Sequence, residues 1–208
     1  MKDFIYPKAN EANRIIRLIA SVMTEDPLNI YFLPDAEQRK KLLFYLYQPI
    51  IRSGIQNRYL FITSKKCEGT ALWLPPQVKE INFFHQLLYG GLAVFTKIGL
   101  KAIHRMINYQ KFCRILRERY APFPHWYLML IAVAKEWQGK GFASQLVKPI
   151  LHQADLEKRY CYLETQNEEN LPIYEHFGFE VVAERAIPDT SIRHWCLLRN
   201  PNSANAVE

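Results

Sequence analysis

Apolar positions recur at helical spacing through Ala12, Ile15, Ile16, Ile19 and Met23, which predicts an amphipathic first helix with Asn10 as its N-cap. Residues 3–7 read as a short strand before it. Asp26-Pro27 breaks the run. Asp35 and Gln38 have the spacing of a capping box, and Leu42, Leu43, Leu46 and Ile50 carry a second helix toward Gly54. Pro49 predicts a kink or an early end there. The period then changes. Residues 58–64 and 70–74 are rich in strand formers, Cys67-Glu68-Gly69 supplies a turn, and Pro75-Pro76 ends the resulting β-hairpin. Residues 79–119 predict two or three helices, jointed at Gly90-Gly91 and stopped by Pro122 and Pro124.

The second half is more regular. Residues 126–133 form a continuous apolar strand, followed by Gly139 and Gly141. Ala143, Leu146, Val147, Ile150, Leu151 and Ala154 then mark one face of a helix that runs to about Lys158 and bends at Pro149. Residues 160–165 are the next strand. A helical crossover separates them from 126–133, so the two strands should be parallel. A short helix fits 171–177, with Asn170 as a possible cap, Pro172 at an early position and Gly178 at its end. Strands at 179–187 and 192–198 close the pattern, and residues 200–208 read as a flexible tail. Residues 1–199 make one α/β (α+β) domain with a helical insertion at 79–119.

Charge refines this picture. Of the net +7, residues 97–119 carry Lys97, Lys101, Arg105, Lys111, Arg114, Arg117 and Arg119 against Glu118 alone. No nucleic-acid motif accompanies the run, so it reads as a solvated helix face that concentrates an anionic ligand rather than as a nucleic-acid surface. The longest apolar stretch, Leu87–Phe95, is too short to span a bilayer. The N-terminus lacks the long apolar core of a signal peptide. Cys67, Cys113, Cys161 and Cys196 form no CxxC pair and no metal-ligand spacing, which suits reduced thiols in a cytoplasmic protein without a metal.

Strand, glycine loop and helix start together make an anion site. Glycines let bare backbone approach a ligand, and the first turn of the helix offers unpaired N–H groups. The loop lacks the Lys-Ser/Thr ending of a P-loop and is not G-x-G-x-x-G. Gln138-Gly139-Lys140-Gly141-Phe142-Ala143 instead resembles the acetyl-CoA pyrophosphate loop of the GNAT acetyltransferase superfamily. Leu163-Glu164-Thr165, Asn170 to Glu175 and Phe177-Gly178-Phe179 follow in that family's order. The likeness is nearest to the puromycin N-acetyltransferase-like branch. It covers 125–199 well, 58–76 less well, and 77–120 poorly. That branch usually has Asp-Pro where this chain has Ala134-Lys135, and Ile or Leu at Phe142; neither change removes a needed backbone N–H.

The resemblance implies a GNAT-like mixed, mostly antiparallel sheet with a splayed parallel pair and helices on both faces. It implies acetyl-CoA as co-substrate and an amine acceptor, first a small molecule and second a peptide. A non-catalytic acyl-CoA sensor is the rival. Ile131, Ala132 and Val133 would pair with the pantetheine arm through unpaired backbone beside a bulge. Gln138, Gly139, Lys140, Gly141, Phe142, Ala143 and Ser144 would hold the pyrophosphate, and Asn170 would reach the arm or cap its helix. Tyr174 would be the general acid that protonates the leaving thiolate, since a phenol with a pKa near 10 is protonated at neutral pH. Glu164 would be the base or the ammonium anchor, on the strand face it shares with Tyr160 and Tyr162. His125, His176 and His194 are alternatives. Tyr31, Phe32, Trp73 and Trp195 would line an acceptor pocket. A monomer or a homodimer fits equally.

Overall fold

The structure, a computed structural model, describes residues 5–78, 89 and 96–201. Helix α1 (Ala12–Val22) buries Ala12, Ile15, Ile16 and Ile19, the stripe that its spacing predicts. Asp26-Pro27 does more than end it. Asp26 caps, and Pro27 opens, a further short helix, α2 (Pro27–Phe32). Proline suits that first position, where its missing N–H has no intrahelical partner to lose. Helix α3 (Ala36–Gln56) starts at Asp35, whose carboxylate accepts the Gln38 N–H at 2.7 Å. It runs on through Pro49 rather than ending there. Packing on the sheet outweighs the lost hydrogen bond: Leu43, Ile51 and Gly54 are buried, and a Cβ on Gly54 would meet Leu72 Cδ1 at 2.6 Å.

Strands β1 (Leu60–Ile62) and β2 (Gly69–Leu74) form the expected hairpin. The expected strand at 3–7 is reduced, among the described residues, to one antiparallel bridge between Ile5 and Ile62. Helix α4 (Leu100–Tyr120) is the described part of the helical insertion; the Gly90-Gly91 joint lies outside the described residues. Then follow β3 (His125–Val133), α5 (Phe142–Leu156), β4 (Tyr160–Thr165), α6 (Leu171–His176), β5 (Glu180–Ala186) and β6 (Arg193–Arg199). Of the tail, residues 202–208 lie outside the described residues.

Among the described residues the sheet has six strands in the order β1-β2-β3-β4-β6-β5, with β3–β4 parallel and every other pair antiparallel. Alternation sends Ala71, Trp73, Trp126, Leu128, Cys161, Leu163, Trp195 and Leu197 to one face, where α5 and α6 cover them. Leu60, Ile62, Leu72, Leu74 and Ala132 face α1 and α3 on the other side. Farther along that second face, α4 packs Leu116 against Tyr162 and Cys196. Arg199 ties the layers at one end. Its guanidinium grips both carboxylate oxygens of Asp155 on α5 at 2.6 and 2.9 Å and donates to the Phe177 carbonyl.

Candidate active site

The parallel pair is short. It runs from His125↔Tyr160 to Leu128↔Leu163 and stops there, while β3 continues to Val133 against β2. The separation begins at a bulge. Leu72 pairs with Leu130 and Trp73 with Leu128, so Met129 is an extra residue on β3. The next hydrogen bonds fix which backbone groups are free to face the gap. Ala134 N–H donates to Glu68 O, whereas Gly69 O is turned to Thr63 on the β1 side. Thr70↔Ala132 is therefore a hydrogen-bonded pair and Gly69↔Val133 is not. Ala132 is committed to β2. Ile131 and Val133 aim their N–H and C=O groups at the gap, where Val133 O accepts from Gln138 Nε2 at 3.0 Å.

A 3₁₀ turn at Lys135–Trp137 leads from the strand into the loop. Gly139 and Gly141 lie in the left-handed region, at φ +73° and +81°, where an L side chain is strained. Space is not the constraint, because a Cβ on either would meet nothing within 4 Å. Gly141 is the N-cap of α5, and no side chain caps that helix start. The first-turn N–H groups of Phe142, Ala143 and Ser144 thus have no intrahelical partner. Lys140 turns aside, with its ammonium 4.7 Å from the Trp137 ring centroid.

One cleft of ≈ 2430 Å³ brings these pieces together. Ile131, Ala132, Val133, Gln138, Gly139, Gly141, Phe142, Ala143, Ser144, Asn170, Tyr174 and Glu164 all line it; Lys140 does not. Asn170 makes no side-chain cap. Its Nδ2 donates to Thr165 Oγ1 at 3.3 Å instead. The Tyr174 ring is buried against Phe179, with the phenol at the cleft. Burial, and then the charge of Asp26, push that phenol up to about 12.

Glu164 sits at the centre of a polar cluster beneath α4. Its carboxylate accepts from Tyr162 Oη at 2.9 Å and from Tyr127 Oη at 3.0 Å. Arg117 Nε lies 3.9 Å away, and the Arg117 guanidinium covers the Tyr127 ring at 4.4 Å. Cys113, Glu164 and His194 bring one ligand-type atom each within 4.8 Å of one another. His194 is fully buried. Its Nδ1 accepts from Gln166 Nε2 at 2.9 Å, and burial lowers its pKa. Sequence reading found Glu164 and Tyr162 and named His194 as an alternative, but missed Arg117, Tyr127 and Cys113. Of these, Arg117 had been absorbed into a solvated basic face, yet its side chain is 15% exposed.

The four aromatic residues expected in the acceptor pocket separate. Phe32 lines the cleft. Trp73 is fully buried on the α5 side, where its indole N–H donates to Leu146 O at 3.2 Å. Trp195 belongs to the same core. Tyr31 is off the cleft lining: its carbonyl accepts from Arg105, whose guanidinium lies 4.9 Å from its ring. Strand alternation explains the two tryptophans, because both point to the apolar face.

This architecture, a split sheet with a glycine-turned helix start at its open end, is shared with solved acetyltransferase structures. Residues 102–181 match the acetyltransferase (GNAT) domain, a class that uses acetyl-CoA as co-substrate. A particular relative is an uncharacterized N-acetyltransferase of Schizosaccharomyces pombe, 28% identical over 180 residues, covering 83% of this chain and 72% of that one. Solved structures share the fold at lower identity. A Corynebacterium glutamicum protein described as histone acetyltransferase HPA2 and related acetyltransferase aligns at TM-score 0.60 and 17% identity, over 95% of this chain and 94% of that one. A polyamine N-acetyltransferase of Drosophila melanogaster aligns at TM-score 0.60 and 10% identity, over 95% and 99%. Arylalkylamine N-acetyltransferase 2 of Aedes aegypti aligns at 0.58 and 14%, over 96% and 99%. No helix among the described residues is long and apolar enough to cross a membrane.

Proposed function

We propose that the chain moves an acetyl group from acetyl-CoA to the amine of a small molecule by direct attack in a ternary complex. The observation that carries this reading is one continuous cleft. It joins the gap-facing backbone of Ile131 and Val133, the Gly139–Gly141 loop and Tyr174. The pyrophosphate binds at the loop and the first turn of α5, where Gln138 through Ser144 supply N–H groups and dipole. The pantetheine arm pairs with Ile131 and Val133 as an added strand would. An N–H beside the bulge meets the thioester oxygen as negative charge develops on it.

Tyr174 gives its proton to the leaving sulfur. A phenol held up to about 12 keeps its proton at neutral pH and is a donor throughout the physiological range. Glu164 anchors the acceptor's ammonium. Two phenol hydrogen bonds fix its carboxylate, which suits holding a cation in one place better than exchanging protons with it. A small acceptor is favoured over a peptide because α4 covers this part of the cleft, where Met106 and Tyr109 line it and Tyr109 packs edge-on against Phe32 at 5.7 Å. The reaction belongs to the reducing cytoplasm, a reading supported by four free, buried cysteines.

The test is free-thiol release from acetyl-CoA across an amine panel. Tyr174→Phe should lower kcat about a hundredfold and leave acetyl-CoA affinity unchanged. An unaltered rate would remove Tyr174 from the mechanism. Thiol release with peptides alone would favour the peptide acceptor, and acetyl-CoA binding without release to any amine would favour the sensor.

A further inference from the structure

Asp26 faces the same cleft from the opposite side of the chain. It stands between α1 and α2, where its Oδ1 accepts from the Leu28 N–H at 3.0 Å, the Asn29 N–H at 3.2 Å and Asn29 Nδ2 at 3.4 Å. Oδ2 makes none of these bonds. The segment is held rigidly. Arg39, 4% exposed, donates to Thr24 O at 2.6 Å, Leu33 O at 2.9 Å and Pro34 O at 3.2 Å. Asp26 and Tyr174 both line the cleft, near enough that the charge of Asp26 acts on the Tyr174 phenol. Leu28, Phe32 and Met106 supply apolar wall beside it.

An ammonium must lose a proton before it can attack. Glu164 is poorly suited to take it, since each of its oxygens already accepts a phenol hydrogen bond and Arg117 lies beside it. Asp26 has an oxygen without a hydrogen bond among the described residues, a fixed position and apolar neighbours in Leu28, Phe32 and Met106. Burial also raises its pKa above the ordinary carboxylate value, which brings it closer to the working range of a base. On the acetyl-transfer reading above, we propose that Asp26 receives the acceptor's ammonium proton, and that the acceptor is a primary alkylammonium with an apolar body.

The step balances. One N–H bond of the ammonium breaks and its proton goes to Asp26, which releases it to solvent. The freed lone pair forms the N–C bond at the thioester carbon, and the C–S bond breaks with its electron pair on sulfur. Tyr174 protonates that sulfur. The second proton lost by nitrogen replaces the one Tyr174 gave.

Asp26→Asn is the informative variant, because the amide oxygen can still accept from Leu28 and Asn29 and so keeps the cap. Benzylamine and O-benzylhydroxylamine carry the same ring, but only benzylamine is protonated at neutral pH. Asp26→Asn should lower kcat/KM for benzylamine about a hundredfold or more. O-benzylhydroxylamine should change less than about threefold, since it has no ammonium proton for a base to take. Equal loss on both acceptors, or loss on neither, overturns the role of Asp26. A wild-type chain that acetylates neither acceptor overturns the acceptor class proposed here, whereas the acetyl-transfer reading falls only if no amine or peptide of the panel releases free thiol.

Discussion

The two walls of the cleft are built from different material. On the proposed cofactor wall the groups aimed inward are backbone: Ile131 and Val133 beside the gap, then the loop turned by Gly139 and Gly141. One continuous stretch of chain supplies all of it. On the proposed acceptor wall the groups are side chains gathered from distant segments. Asp26 comes from the start of α2, Arg117 from α4, and Tyr127 and Glu164 from two strands. Backbone recognition needs a local conformation, so a short motif can encode it. Side-chain recognition needs a tertiary arrangement, so residue types can change there while the sheet stays the same.

That contrast can be broken, most severely at the loop. Gly141→Glu puts a strained residue at φ +81° and a negative charge at the proposed pyrophosphate site. Acetyl-CoA affinity, measured by calorimetry, should fall at least about a hundredfold, or roughly 2.7 kcal/mol. Unchanged affinity would end the assignment of this wall. Glu164→Gln probes the other wall and should spare acetyl-CoA binding. Steady-state kinetics should show kcat/KM for the acceptor falling about 10- to 100-fold, the worth of a charge-assisted hydrogen bond. A matching loss of acetyl-CoA affinity would mean the walls are not separable.

The smallest effect concerns His194. Burial depresses its folded pKa, so the neutral ring stabilises the fold above about pH 6.5, its unfolded value. That stability is lost as pH falls from there through the folded pKa, because the unfolded chain takes up the proton first. Thermal melts should show a smaller drop between pH 7.5 and 5 for His194→Gln than for the parent chain.

Legibility in the sequence followed the same division. Apolar runs and crossover length gave the parallel partner of β3, and Gly139 and Gly141 marked the loop, because each is a property of neighbouring residues. Asp26-Pro27 showed only its stop signal. That the same pair opens α2 and points a carboxylate into the cleft depends on α3, whose Arg39 holds the turn. Arg117 was hidden in a basic run, and no local signal separates it from Arg114 or Arg119. The tryptophans are different, since the signal was available. Period-two alternation puts Trp73 on the same face as Ala71, toward α5, and away from Leu72 and Leu74.

Helix α4 has one more consequence, which concerns chain connectivity. It lies in residues 75–124, between two strands that pair directly with each other, β2 and β3. The chain segment that carries α4 is therefore closed at its base by an antiparallel ladder. The entropy of closing such a loop rises only with the logarithm of its length, by about 0.6 kcal/mol per doubling. Lengthening, shortening or replacing this segment changes what the cleft can admit at small cost to the sheet. Insertion or deletion here would therefore reshape the cleft while leaving the Gly139–Gly141 loop and its strand unchanged.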